Sequence, residues 1–183
     1  MSLNYHFLLS LSILLFITQT SLPSSASKLP IWEGSAYAEV NVPTEKAWPF
    51  VEDFCNAYKI YPVTISFCEK GDPKHVKPGD QRLTGVFMNG TDEVQFEQHR
   101  LLKIDRVKRY ITYKMMANNL NVTYYKVTVS VMPSKKIKNG SLMRWHYKIR
   151  AVKGYDHQMF VHVFQSLVDP VPGSIHKWLA KHK

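Results

Sequence analysis

Apolar and polar side chains alternate over much of this chain, and the period changes in only two places. From Trp32 to Val42 the residues Ala36, Ala38, Val40 and Val42 fall on one face, the pattern of a half-buried strand. Pro43-Thr44-Glu45 then opens a helix, with Thr44 as the candidate N-cap. Ala47, Trp48, Val51, Phe54 and Cys55 follow at helical spacing, with Pro49 inside as a source of a kink and an end near Pro62. Strands are predicted over 64–69, 79–88, 93–104, 109–116, 122–132 and 142–152. Gly71-Asp72-Pro73, Asn89-Gly90, Asn118 to Asn121 and the loop 133–140 supply the turns, and Asn-Gly is a strong hairpin signal. The tail from Asp156 to Lys183 reads as helical, broken at Pro170-Val171-Pro172-Gly173. Strand, helix, meandering strands and helix is an α+β order, an antiparallel sheet with helices on one side.

The last two strands carry the cleanest faces. Tyr125, Val127, Val129 and Val131 share one face of 122–132, and Met143, Trp145, Tyr147, Ile149 and Ala151 share one face of 142–152. Ile111, Tyr113 and Met115 align on the strand before them. An inner surface of Tyr113, Tyr125, Trp145 and Tyr147 therefore contains three phenols. A buried hydroxyl without a partner costs about 1–3 kcal/mol. Such a surface implies either a hydrogen-bonded core or a cavity that holds a polar group. The strand 93–104 is ambiguous: Val94, Phe96, Leu102 and Ile104 share a face with Gln98 and Arg100, while Glu97, His99 and Leu101 lie opposite. Arg82, if inward, needs a carboxylate or an anionic ligand.

Composition adds a route and removes some functions. At 183 residues with 45% hydrophobic and 13% aromatic content, the chain is one domain's worth, and it shows no repeats. Residues 7–17 form an uncharged apolar run too short to span a bilayer comfortably, followed by small polar residues with a cleavage point after Ala26. This is a signal-peptide pattern over residues 1–26, ahead of a domain over 27–183; a retained anchor is the alternative. Three N-x-S/T sequons, at Asn89, Asn121 and Asn139, fall at expected turns and fit a secreted, apoplastic or vacuolar glycoprotein. Cys55 and Cys68 are free to pair in that compartment or to remain thiols. No Cys/His spacing suggests a metal site, and no cofactor is called for. The net charge of +10 is spread along the sequence, with one cluster at Lys135, Lys136 and Lys138. Without basic-aromatic interleaving it does not indicate nucleic-acid binding, and no stable membrane insertion is expected once the leader is removed.

One colinear series is more specific: Trp32-x-Gly34, Thr44 to Trp48, Asp53-Phe54, Pro62, Gly79-x-x-Arg82, Leu101 to Asp105, Gly140-Ser141 and Trp145. Over 32–154 it resembles the lachrymatory factor synthase-like plant proteins of the polyketide cyclase/START/Bet v 1-like superfamily. The resemblance implies a helix-grip fold, a curved antiparallel sheet wrapped around a C-terminal helix with an internal cavity. It also implies, for some members, isomerisation of a small reactive molecule by proton transfer. Carried over, the polarising arginine is Arg82 and the pocket tyrosines are Tyr113 and Tyr125, while His99 stands where the family has a proton-moving glutamate. Histidine can shuttle protons near neutral pH, and Glu97 on the same face can restore the lost charge. Phe96, Glu97, Trp145 and Tyr147 are expected in the pocket wall. Two functions remain open: an isomerase or cyclase of plant specialised metabolism, or a carrier or sensor of an apolar metabolite, lipid or hormone. Either takes a small hydrophobic or amphipathic metabolite.

Overall fold

The computed structural model describes residues 29–61, 65–87 and 94–182. The leader over 1–26, the region around Pro62, and the Asn89-Gly90 turn with its sequon lie outside the described residues. Seven strands form one antiparallel sheet: β1 (Ile31–Val40), β2 (Ile65–Lys70), β3 (Gln81–Phe87), β4 (Val94–Asp105), β5 (Tyr110–Asn118), β6 (Tyr125–Pro133) and β7 (Ser141–Arg150). Their spatial order is β1-β7-β6-β5-β4-β3-β2, so consecutive strands are neighbours except for β1, which joins β7. The α+β expectation and the antiparallel sheet are met.

Helix α1 (Thr44–Glu52) packs against β5 and β6 through Ala47, Trp48, Phe50 and Val51, all buried. It differs from the expectation at both ends. Pro43 is the N-cap and Thr44 the first helical residue, its hydroxyl donating to Glu45 Oε1 at 2.8 Å. The helix stops at Glu52 because Asp53 turns its carboxylate to local partners, accepting from Asn56 Nδ2 at 2.6 Å and pairing with Lys59 Nζ. A short 3-10 turn, Ala57–Lys59, follows.

The tail forms two helices, α2 (His157–Val168) and α3 (Val171–Lys181), divided at Asp169-Pro170 as the prolines require. Asp156 caps α2, its carboxylate accepting from the Met159 N–H at 2.7 Å. Pro170 and Pro172 sit at the cap and first turn of α3, where a missing N–H breaks no helical bond. Phe160 and Phe164 press α2 onto Tyr147, with ring centroids 5.1 and 4.8 Å away. α3 rests Trp178 against Tyr58 and under Lys59 of the 3-10 turn. All three helices cover one face of the sheet.

Strand β4 explains its own ambiguous pattern. The register slips between Gln98 and His99 and again between Leu101 and Lys103 against β5. The first slip leaves Met116 of β5 unpaired and keeps the alternation of β4; the second leaves Leu102 of β4 unpaired and resets it. His99 and Leu101 stay on the inward side with Gln95 and Glu97, whereas the bulged Leu102 is pushed outward.

Candidate functional site

A cavity of about 320 Å³ lies between the concave face of the sheet and α2. Its walls are apolar on the α2 side, where Phe160, Val163, Phe164, Leu167 and Val168 face it, and carry the polar groups on the strand side. The inner rows of β3 and β4 contribute Arg82, Thr84, Gln95, Glu97 and His99, and those of β5, β6 and β7 contribute Tyr113, Tyr125 and Trp145.

Arg82 is 7% exposed and points inward. Its Nη1 donates to the Phe54 carbonyl at 2.8 Å, and its Nε donates to His99 Nδ1 at 3.5 Å. The guanidinium lies 4.4 Å from the Phe54 ring centroid and 4.8 Å from that of Tyr113, so two aromatic faces share its charge. A disulfide closes this corner. Cys55 follows Phe54, Cys68 pairs with Arg82 across β2 and β3, and the two cysteines are joined at a Cα separation of 4.9 Å. Ser66 Oγ adds a bond to the Cys55 carbonyl at 2.7 Å.

His99 is 2% exposed. Nδ1 accepts from Arg82, which leaves Nε2 protonated, and Nε2 lies 3.2 Å from Glu97 Oε2, at ion-pair distance but without hydrogen-bond geometry. Burial, followed by the Arg82 charge, holds the imidazole below its ordinary pKa of 6.5 against the pull of Glu97. For Glu97, burial is the largest single influence and acts upward. The contact with His99 and the positive charges around it outweigh burial, and the carboxyl sits below its ordinary value. At neutral pH the row therefore reads guanidinium, neutral imidazole, carboxylate, with the two charges offsetting each other. Glu97 is the member open to the cavity, its side chain 35% exposed.

Three phenols stand around this row. Burial drives Tyr125 well above the ordinary phenol value and raises Tyr61 and Tyr113 too, so all three keep their protons and can donate. His99 meets Tyr113 edge-on at 5.0 Å and lies 6.4 Å from Tyr125.

Of the residues named from sequence, Arg82, Glu97, His99, Tyr113, Tyr125 and Trp145 come together in this wall. Two do not line it. Phe96 lies on the outer face of β4, between the inward Gln95 and Glu97. Tyr147 is fully buried beneath Phe160 and Phe164, one layer behind the cavity. Tyr61 escaped sequence reasoning because it follows a 3-10 turn, where no periodicity marks a facing side. Its place in an aromatic-rich loop before Pro62 was the one available hint. Of the sequon residues, Asn121 and Asn139 are exposed in left-handed turns, at φ 59° and 57°. Among the described residues no cluster of His, Cys, Asp or Glu could hold a metal ion.

The architecture has counterparts among solved structures. The protein XoxI from Bacillus cereus superposes with a TM-score of 0.61 at 16% identity, over 82% of this chain and 98% of that one. A putative uncharacterized protein from Bacillus thuringiensis gives 0.60 at 18% identity, over 81% and 99%. At these identities the likeness concerns the fold alone. The sequence carries the closer tie: residues 32–171, from the first strand to the start of α3, match the profile described as polyketide cyclase / dehydrase and lipid transport. With a sheet gripping a C-terminal helix around an apolar hollow, this chain belongs to the polyketide cyclase/dehydrase and lipid transport family.

Proposed function

We propose that this protein is an isomerase or cyclase that moves a proton on a small apolar metabolite held in the cavity. One observation carries the reading: the Glu97 carboxylate opens into the cavity, 3.2 Å from a histidine whose other nitrogen faces buried Arg82. The substrate class is a molecule with an acidic C–H next to a polarisable oxygen. Glu97 takes the proton from carbon as the electron pair shifts to oxygen. Arg82 and the phenols of Tyr61, Tyr113 and Tyr125 stabilise that developing negative charge. Glu97 then returns the proton at another carbon, which completes an isomerisation without a cofactor. His99, whose Nε2 lies 3.2 Å from Glu97 Oε2, positions the carboxylate.

The resemblance to lachrymatory factor synthase-like proteins supports this assignment in a shifted form. The family glutamate position holds His99, and the carboxylate has moved two residues along the same strand face, to Glu97. A second reading, carriage without turnover, is favoured by the internal charge balance between Arg82 and Glu97, which suits an uncharged apolar guest. Glu97→Gln separates the two. As an enzyme the variant loses about 10²–10⁴ in kcat on carbonyl and sulfoxide test substrates while binding is retained. As a carrier, the wild type binds the same compounds without turning them over. The acid limb of the kcat/KM profile falls below Glu97's ordinary 4.5, because the deprotonated carboxylate is the active form. An inflection near 6.5 instead would return the proton-carrying role to His99.

We place the action in the secretory pathway, ending in the apoplast or vacuole. The leader pattern, the sequons at Asn89, Asn121 and Asn139 and the Cys55–Cys68 disulfide support this. A mobility shift on enzymatic deglycosylation of the native protein, lost in the triple Asn→Gln variant, is the expected result.

A further inference from the structure

The face of the sheet turned away from the cavity carries a row that the sequence conceals. Following the pairing register strand by strand, Lys70 on β2 faces Gln81 on β3, Gln81 faces Arg100 on β4, and Arg100 faces Lys114 on β5. Lys114 then faces Lys126 on β6, Lys126 faces Lys148 on β7, and Lys148 faces Glu33 on β1. One line perpendicular to the strands thus crosses all seven and carries five cations. They are as many as 78 residues apart in sequence, between Lys70 and Lys148, which is why the charge looked scattered along the chain.

The four cations from Arg100 to Lys148 are direct cross-strand neighbours. Strands lie about 4.8 Å apart, well inside the Debye length of about 8 Å at physiological salt, so their potentials add. Like charges directly opposite each other weaken a sheet. Little in the fold offsets this. Glu33 pairs with Lys148 at 2.8 Å, at the β1 end. Glu69, near the other end, accepts from Gln98. Lys70, Arg100, Lys114 and Lys126 make no ion pair among the described residues, and Arg100 Nε is shut off from solvent with no hydrogen-bond partner. The next row along the strands, Lys103, Thr112, Thr128, His146 and Ser35, adds one more lysine, hydroxyls and an imidazole, and no carboxylate.

We propose that this row is a binding track for an acidic polysaccharide, a flexible linear chain with a carboxylate on successive sugars. The shape of the track selects the partner. Neighbouring strands rotate by about 20–25°, so a row crossing seven of them winds in space. A flexible chain follows that path, whereas a flat anionic membrane meets only part of it. Nucleic-acid single strands are held by stacking on successive aromatic rings, and no aromatic side chain stands in the row. The exposed Phe67 on β2 and Tyr124 just before β6 flank it with three strands between them, too far apart to stack successive bases. The hydroxyls of Thr112 and Thr128, 2.9 Å apart, suit a sugar's own hydroxyls. The track is on the opposite side of the sheet from the cavity, so it is independent of the proposed proton transfer.

The test is affinity electrophoresis and calorimetry of the full chain against polygalacturonate at about 0.15 M ionic strength. The track is altered with Lys114→Glu/Lys126→Glu, and an equal charge change is placed elsewhere with Lys135→Glu/Lys136→Glu in the β6–β7 loop. Lys114→Gln/Lys126→Gln serves if the charge reversal does not fold. The track variant is expected to bind roughly tenfold or more weakly, with a shallower salt dependence, while the loop variant stays near wild type. Failure of the wild type to bind, an equal loss in both variants, or tighter binding to oligothymidylate or phosphatidylserine vesicles than to polygalacturonate would each overturn the proposal.

Discussion

Gly34 and Tyr147 face each other across β1 and β7, and the tyrosine ring fills the space a side chain would occupy. A methyl group at Gly34 would come within 2.4 Å of the Tyr147 hydroxyl. Tyr147 cannot yield, because Phe160 and Phe164 close on its other side. Gly34→Ala is therefore expected to destabilise by about 1–3 kcal/mol, the range for overpacking, measured as a lowered midpoint in urea. The hydroxyl itself is buried without a hydrogen-bond partner. Removing an orphaned polar group relieves its desolvation, so Tyr147→Phe is expected to be neutral or to stabilise by about 1 kcal/mol. The opposite sign, a clear loss in Tyr147→Phe, would mean that the hydroxyl finds a partner in solution. Arg82 differs from Tyr147 in that every contact it makes is specific: a carbonyl, an imidazole and two ring faces hold it at the cavity wall.

Among the elements, β1 is an edge strand, and α2 guards it with Gln165. The side-chain amide accepts from the Tyr37 N–H at 3.0 Å and donates to the Tyr37 carbonyl at 2.9 Å, occupying groups that could pair with another strand. The other edge, β2, is tied to the turn after α1 by the disulfide. The bridge closes 13 residues, so Cys55→Ala/Cys68→Ala is expected to cost about 3 kcal/mol in chemical denaturation. Because Phe54 holds Arg82, ligand affinity should also fall in that variant. Unchanged affinity would show that Ser66 alone keeps the corner in place. These elements also show how far the sequence could be read. β6 and β7 were legible because both run without a bulge and, apart from Ser141, their buried face carries only aliphatic and aromatic residues. β4 was not, because its inward row up to Leu101 carries the polar Gln95, Glu97 and His99 while Phe96 points outward, and the bulge at Leu102 shifts the alternation beyond it. The division of the tail was legible because prolines act locally. Arg82 and His99 could be named only through family resemblance, since an inward arginine and histidine have no signature in hydrophobic period. Tyr61 reached the cavity through a turn that carries no pattern at all.

For the whole molecule, the charge row in the cavity wall couples proton uptake to folding. His99 has a lower pKa folded than unfolded, so between those values the unfolded chain binds more protons, and stability rises with pH. The stabilisation is complete above the unfolded value of 6.5 and is lost as pH falls through the lower, folded value. Glu97 works in the same direction at more acid pH: its contribution is complete above its ordinary 4.5 and is lost as pH falls through the folded value below that. The protein is therefore expected to weaken on acidification below neutrality, first through the imidazole and then through the carboxylate. His99→Gln isolates the first step, because the amide can still accept from Arg82 and donate toward Glu97 but does not titrate. Thermal midpoints taken from pH 7.5 to 5 should fall for the wild type and fall less for the variant; parallel curves would assign the acid sensitivity to other groups. The same linkage governs the cavity. A ligand that dries the wall further disfavours the imidazolium, so affinity is expected to weaken over the window in which stability declines, and His99→Gln is expected to flatten both curves together.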